Sequence, residues 1–156
     1  MEKITKTQNY SNLITDLTSL IEQGRKTAVR YVNAALVATY WLMGRRIVEY
    51  EQRGEERAEY GERLLRKISS DLTTRFGKGF TERNLEHMRK FYLTYREISN
   101  TVCAKLLPIS QTPSGIFKKL FQRFPLSWSH YRLLMRFKEP FQREFYEAEC
   151  IRGTGR

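Results

Sequence analysis

The sequence predicts an all-α, mainly helical fold: a multi-helix domain with a long central helix and a helix-turn-helix-like unit. Three observations carry this. Apolar residues recur at three- and four-residue intervals through most of the 156 positions. Two-residue strand alternation is scarce. The glycines and prolines that interrupt the helical pattern fall between its segments.

Taken in order, a first helix is predicted over Tyr10–Glu22, with Leu13, Ile14, Leu17, Leu20 and Ile21 inward. Gly24 separates it from a long helix over about Lys26–Arg53, which carries Val29, Val32, Ala35, Leu36, Tyr40, Met43, Ile47 and Tyr50. At 1.5 Å per residue that helix spans about 40 Å, the length expected of a central scaffold. Gly54 breaks it.

The next helix is predicted over Ala58–Phe76, where Tyr60, Leu64, Leu65, Ile68, Leu72 and Phe76 share one apolar stripe. Gly77 stops it, because glycine closes a helix in the left-handed region without a Cβ penalty, and Gly79 gives the turn a second permissive point. Thr81 is the predicted N-cap of a following helix and Glu82 suits the positive end of its dipole. Asn84 stands where a capping box needs Glu or Gln, so the box is incomplete. Down the second helix Leu85, Met88, Phe91, Tyr92 and Tyr95 form the buried face, while Arg83, His87, Lys90 and Thr94 fall together on the other side. Such a polar, cationic row matches what a recognition helix presents to a major groove. Its spacing equally fits an ordinary amphipathic hairpin with a basic outer face.

Residues 100–127 contain Pro108, Pro113, Gly115 and Pro125 and read as an irregular basic loop carrying Lys118, Lys119 and Arg123, interrupted by a short helical turn at Ile116–Phe121. Helix resumes at Ser127 or Ser129 and continues through Phe137. Pro140 then opens a last helix predicted to bury Phe141, Phe145, Ala148 and Ile151. The whole, residues 1–156, is a single domain long enough to bury a core from its 9 Phe, 9 Tyr and 2 Trp. Tyr40 and Trp41 belong to that core; Trp128 is open to either packing or stacking on bases. The chain ends just after a helical pattern, as a fragment or a truncated open reading frame would.

Charge narrows the function classes. The 28 Lys and Arg against 17 Asp and Glu give a net charge of +11 and favour a polyanionic partner. The excess is graded, at +1 over residues 1–60, +4 over 61–100 and +6 over 101–156. Cys103 and Cys150 have no CxxC spacing and only His87 and His130 are present, so no metal site, cofactor or disulfide framework is indicated and a cytoplasmic setting is the default. Ala34–Met43, flanked by Arg30, Arg45 and Arg46, is too short to span a bilayer, and no signal peptide opens the chain. Glu55, Glu56, Glu59 and Glu62 alternate with Arg53, Arg57, Arg63 and Arg66, the pattern of a salt-bridged helix face rather than a catalytic carboxylate pair. None of the ten lysines has Asp or Glu two residues before it. The [DE]-x-K element of many DNA-cutting nucleases is therefore missing, as are the common phosphate-loop and hydrolase motifs.

Three ordered blocks, TAVRYVNAALVATYWLMGRRIVEYEQRGEERAEYGERLL, FGKGFTERNLEHMRKFY and PLSWSHYRLLMRFKEPFQREFYEAE, resemble the N-terminal domain of the YhcG family of bacterial proteins, from about Ile14 to Glu149. The resemblance implies a helical, helix-turn-helix-type DNA-binding module that in the family precedes a nuclease domain of the PD-(D/E)XK superfamily. That nuclease domain has no counterpart here, so the resemblance implies no catalysis in this chain. It implies DNA binding by Lys78, Thr81, Arg83, Asn84, His87, Arg89 and Lys90, and the charge gradient adds Lys118 and Lys119 as backbone contacts. The expected partner is DNA. The alternative is a helical protein–protein interaction module that forms a homodimer or docks a nuclease or restriction-modification subunit.

Overall fold

In the computed structural model the backbone is described for residues 2–53, 58–96 and 113–154, and side chains for 5–53, 61–96 and 117–154. The expected loop over 100–112, Cys103, and the Glu55, Glu56 and Arg57 part of the charged face lie outside the described residues. Six helices are described: α1 Glu2–Arg53, α2 Ala58–Phe76, α3 Glu82–Thr94, α4 Pro113–Arg123, α5 Trp128–Leu134 and α6 Pro140–Thr154. No strand occurs among the described residues. The fold is all-α.

α1 is the axis of the molecule, and α3 lies against its C-terminal half. The two backbones meet at Gly44, where a Cβ would overlap the Met88 carbonyl and touch the Cβ of Tyr92 at 3.0 Å. α4 and α5 also pack on α1, α2 packs on α3, and α6 packs on α5. The main core fills the space between them with Val37, Ala38 and Trp41 of α1, Phe91, Tyr92 and Tyr95, Leu120, Phe124, Tyr131 and Leu134. Phe91 sits at its middle, with its ring centroid 4.9 to 5.2 Å from those of Tyr95, Phe124, Trp128 and Tyr131. Edge-to-face pairs at such distances add about 0.5–1.5 kcal/mol each beyond area burial. A second, smaller cluster of Ile47, Leu65, Leu85 and Met88 joins α1, α2 and α3.

Four expectations are corrected. Gly24 does not divide α1: it is absent from the glycines with positive φ, which are Gly77 and Gly79, so the chain stays helical through it at a cost of about 1 kcal/mol relative to Ala. Leu13, Ile14, Leu17, Leu20 and Ile21 are exposed rather than inward, because no other described element lies beside this part of α1. Farther along α1, Val29, Val32, Leu36 and Tyr50 are also exposed; Ile47 is buried as expected, and the rest of the buried face is Ala34, Val37, Ala38, Trp41 and Val48. That stretch is apolar on every side, so periodicity alone does not choose its inner face.

The third correction concerns 100–127, where Pro113–Arg123 is a helix and not a loop with one turn. Proline is tolerated at a first helical position, and burial of Leu120 and Phe124 anchors the segment. The fourth is the face of α6. Phe141 is 79% and Phe145 55% exposed, and Ala148 and Ile151 are exposed too; the buried residue is Glu147. Its carboxylate accepts from Arg123 Nη1 at 2.8 Å, and the same guanidinium lies over the rings of Tyr95 and Phe124 at 5.4 and 5.2 Å. A buried carboxylate costs several kcal/mol unless paired, so this ion pair fixes the rotation of α6. Burial, then the nearby Glu147 charge, pushes the Tyr95 and Tyr131 phenols far above their ordinary range.

Candidate nucleic-acid interface

Between α2 and α3 the chain reverses over residues 77–81. Gly77 and Gly79 take φ of 84° and 112°, the region where a Cβ is penalised. Gly77 N–H closes α2 on the Thr73 carbonyl at 2.9 Å, and Ser69 Oγ donates to the Phe80 carbonyl at 2.7 Å, tying the turn back to α2. Thr81 is the N-cap: its hydroxyl accepts from Asn84 N–H at 3.2 Å. The Asn84 side chain then works in two directions, donating from Nδ2 to the Gly79 carbonyl at 2.6 Å and accepting from Trp128 Nε1 at 3.1 Å. The turn, α3 and α5 are therefore held as one unit.

Trp128 is a bracket in this arrangement and not a free stacking platform. Its ring packs edge-on against Tyr40 and Phe91 at 5.0 and 5.2 Å. Ser127 is the N-cap residue of α5, with its hydroxyl sharing a 2.6 Å hydrogen bond with His130 Nδ1, so His130 is a hydrogen-bonded structural histidine.

This bracketing leaves a concavity of about 280 Å³ lined by Gly79, Thr81, Arg83, Asn84 and His87 from the turn and α3, and by Trp128 and Arg132 from α5. Arg83, Lys90 and Arg132 are exposed and His87 is half-buried. The imidazole reports the local field: burial first, then the positive charges of Arg132, Arg83 and Lys90, lower its pKa, against a smaller opposing effect of Glu86. Its Nε2 is buried with no hydrogen-bond partner among the described residues. Cationic groups from two separate helices thus converge on a neutral ring.

Of the sequence-predicted set, the structure gathers Thr81, Arg83, Asn84 and His87 around the concavity, with Lys90 on the same face of α3 and Lys78 exposed in the turn. Thr81 and Asn84 serve there as cap and bracket. Arg89 points elsewhere: its guanidinium pairs with Glu51 of α1 at 2.8 Å and with Glu86 at 3.7 Å, a clamp between α1 and α3. Lys118 and Lys119 are exposed on α4 and do not line the concavity. Arg132 was not among the sequence candidates. Its charge and helical setting were legible, but nothing local in SWSHYRLL says that α5 stands beside α3.

The site offers cationic and hydrogen-bonding groups suited to phosphates. Among the described residues no group of three or more His, Cys, Asp and Glu side chains is arranged to hold a metal ion, and no helix is long and apolar enough to cross a membrane.

Residues 16–154 match the DUF1016 N-terminal domain model. The chain belongs to this family. A relative from Escherichia coli (strain K12), named "Putative nuclease YhcG", is 41% identical over 165 aligned positions, covering 97% of this chain and 44% of that protein. The chain therefore spans less than half the length of the curated relative it matches. No solved structure matches the chain. The DUF1016 match covers α2, the 77–81 turn, α3 and α5, so every group lining the concavity lies inside the matched segment.

Proposed function

We propose that this DUF1016 N-terminal domain is a non-catalytic DNA-binding domain that targets a nuclease-family protein to its substrate. The observation that carries the reading is the convergence of Arg83 and Lys90 of α3 with Arg132 of α5 around His87. In this reading α2, the turn and α3 act as a helix-turn-helix, Arg83, Lys90 and Arg132 meet phosphates or base edges, and Lys78 contacts the backbone from the turn. Lys118 and Lys119 extend the phosphate contacts along α4. The chain lacks a [DE]-x-K element, and nuclease chemistry named for the longer relative is assigned to the part of it that this chain does not span.

The test is titration of labelled duplex DNA with the purified domain at several salt concentrations, comparing wild type with Arg83→Ala/Lys90→Ala and with Arg132→Ala. Salt-sensitive binding that both variants weaken supports the reading. Binding unaltered by either variant overturns it.

A second reading, a helical module that docks a nuclease or restriction-modification subunit, is favoured by the outer face of α6, where Phe141, Phe145 and Tyr146 are all about half exposed or more. Retention of a partner by the wild type and its loss on Phe141→Ser/Phe145→Ser would mark that face as the docking surface.

A further inference from the structure

Every described side chain from Thr5 to Val32 is exposed. Among the described residues this stretch meets the packed lobe only at Arg30, whose guanidinium donates to the Thr154 carbonyl at 3.1 Å, and at Tyr31, whose ring lies 6.4 Å from that of Phe121. Over Thr5–Val29, α1 therefore leaves the lobe as a single helix of about 37 Å. Solitary helices draw little stability from propensity alone and depend on packing an apolar face. This one has such a face. Tyr10, Leu13, Ile14, Leu17, Leu20 and Ile21 are 44 to 65% exposed. Tyr10, Ile14, Leu17, Ile21, Gly24, Ala28 and Tyr31 follow one another at alternating four- and three-residue steps. Three heptads of that spacing form the seam of a coiled coil.

We infer that this arm pairs antiparallel with the same arm of a second copy of the chain, about a two-fold axis at Ser19. In that register large residues meet small ones: Tyr10 faces the partner's Ala28, Ile14 faces the partner's Gly24, and Leu17 faces the partner's Ile21. A parallel pair would instead set Gly24 on Gly24 and Ala28 on Ala28, a gap followed by two crowded tyrosines at 31. It would also bring together two lobes that each carry a net +10 over residues 61–156; the antiparallel pair holds them at opposite ends.

The area suffices. The six large apolar side chains from Tyr10 to Ile21 offer about 80 Å² each, so a pair buries roughly 1,000 Å², the area at which a specific interface begins. The flanking positions carry no like-charge conflict, since Leu20 meets the partner's Leu20 on one side of the seam and Thr18 the partner's Thr18 on the other.

The test uses the full chain with Cys103→Ser and Cys150→Ser. Light scattering at micromolar concentration should give a dimer mass, and Leu17→Asp/Ile21→Asp should give a monomer whose near-ultraviolet circular dichroism keeps the signature of the packed aromatic core. Register is read by oxidation: Leu17→Cys and Ile21→Cys chains should cross-link when mixed and not when separate. A monomeric wild type overturns the proposal and leaves this face to another protein or another part of a longer chain. A dimer that survives the double aspartate variant also overturns it, and efficient cross-linking of Leu17→Cys alone overturns the antiparallel register.

Discussion

Trp128 Nε1 donates to Asn84 Oδ1 at 3.1 Å, joining the first turn of α5 to the first turn of α3 across 44 positions of sequence. The concavity exists because of this bond and the one that Asn84 makes to Gly79. Asn84→Ala should cost about 1–2 kcal/mol, since it strips a donor from the exposed Gly79 carbonyl and an acceptor from the partly buried Trp128 N–H. Trp128→Phe keeps most of the ring packing and should cost about 1 kcal/mol. The double variant should lose less than the two single losses combined, as residues sharing one bond are coupled. Chemical denaturation of the four proteins measures the coupling.

Gly44 allows α1 and α3 to approach backbone to backbone. Gly44→Ala, which raises helix propensity, should nonetheless destabilise the domain by about 1–3 kcal/mol, because the new methyl meets the Met88 carbonyl and not a yielding side chain. Gly24→Ala, with nothing within 4 Å of its added carbon in the single chain, should stabilise the monomeric Leu17→Asp/Ile21→Asp background by up to about 1 kcal/mol. Thermal unfolding of the two variants should shift in opposite directions.

His87 titrates below its ordinary value near 6.5 in the folded chain, with burial as the main cause and Arg132, Arg83 and Lys90 behind it. The unfolded chain therefore takes up the proton first as pH falls. The contribution of the neutral imidazole to stability is complete above about 6.5 and is lost as pH drops through the folded-state value. Unfolding followed between neutral and mildly acidic pH should show this slope, and His87→Gln should flatten it. Phosphate at the concavity reverses the local field, so DNA affinity should rise over the same acid range in wild type and not in His87→Gln.

Salt dependence separates phosphate-facing cations from structural ones. Removing Arg83, Lys90 or Arg132 should reduce the log–log salt slope of DNA binding by about 1 each. Arg89→Ala should leave the slope unchanged and lower stability instead, because Arg89 is spent on Glu51. Lys118→Ala/Lys119→Ala reads whether phosphate contacts reach α4.

Local signals in the sequence were enough for the 77–81 turn and its two helices. Glycine chemistry marked the end of α2, Thr81 capped α3 as its hydroxyl predicts, and all five apolar residues assigned to the inner face of α3 are buried. These depend on neighbours a few residues away. Two failures are local, a helix that runs on through Gly24 and one that opens at Pro113, and the others are tertiary. The inner face of α1 is marked by burial of Ala34 and Ala38 and by close approach at Gly44, and the rotation of α6 by one buried ion pair between Glu147 and Arg123, which hydrophobic spacing does not encode. For the same reason the sequence does not separate Arg132, which lines the concavity, from Arg89, which pairs with Glu51: each lies on a readable helix, but which side of it faces another chain segment is settled only by packing.

The continuity of α1 through Gly24 also sets a distance. From Ser19, the two-fold position of the proposed pairing, to Gly44, where α3 crosses, runs about 37 Å of unbroken helix. In the antiparallel pair the two α3 crossings are then about 75 Å apart, close to two turns of duplex at 34–36 Å per turn. If the proposed pairing and the proposed DNA reading both hold, an insertion or deletion in this arm would act as a change of gauge, altering the span between the two proposed contacts while leaving each intact.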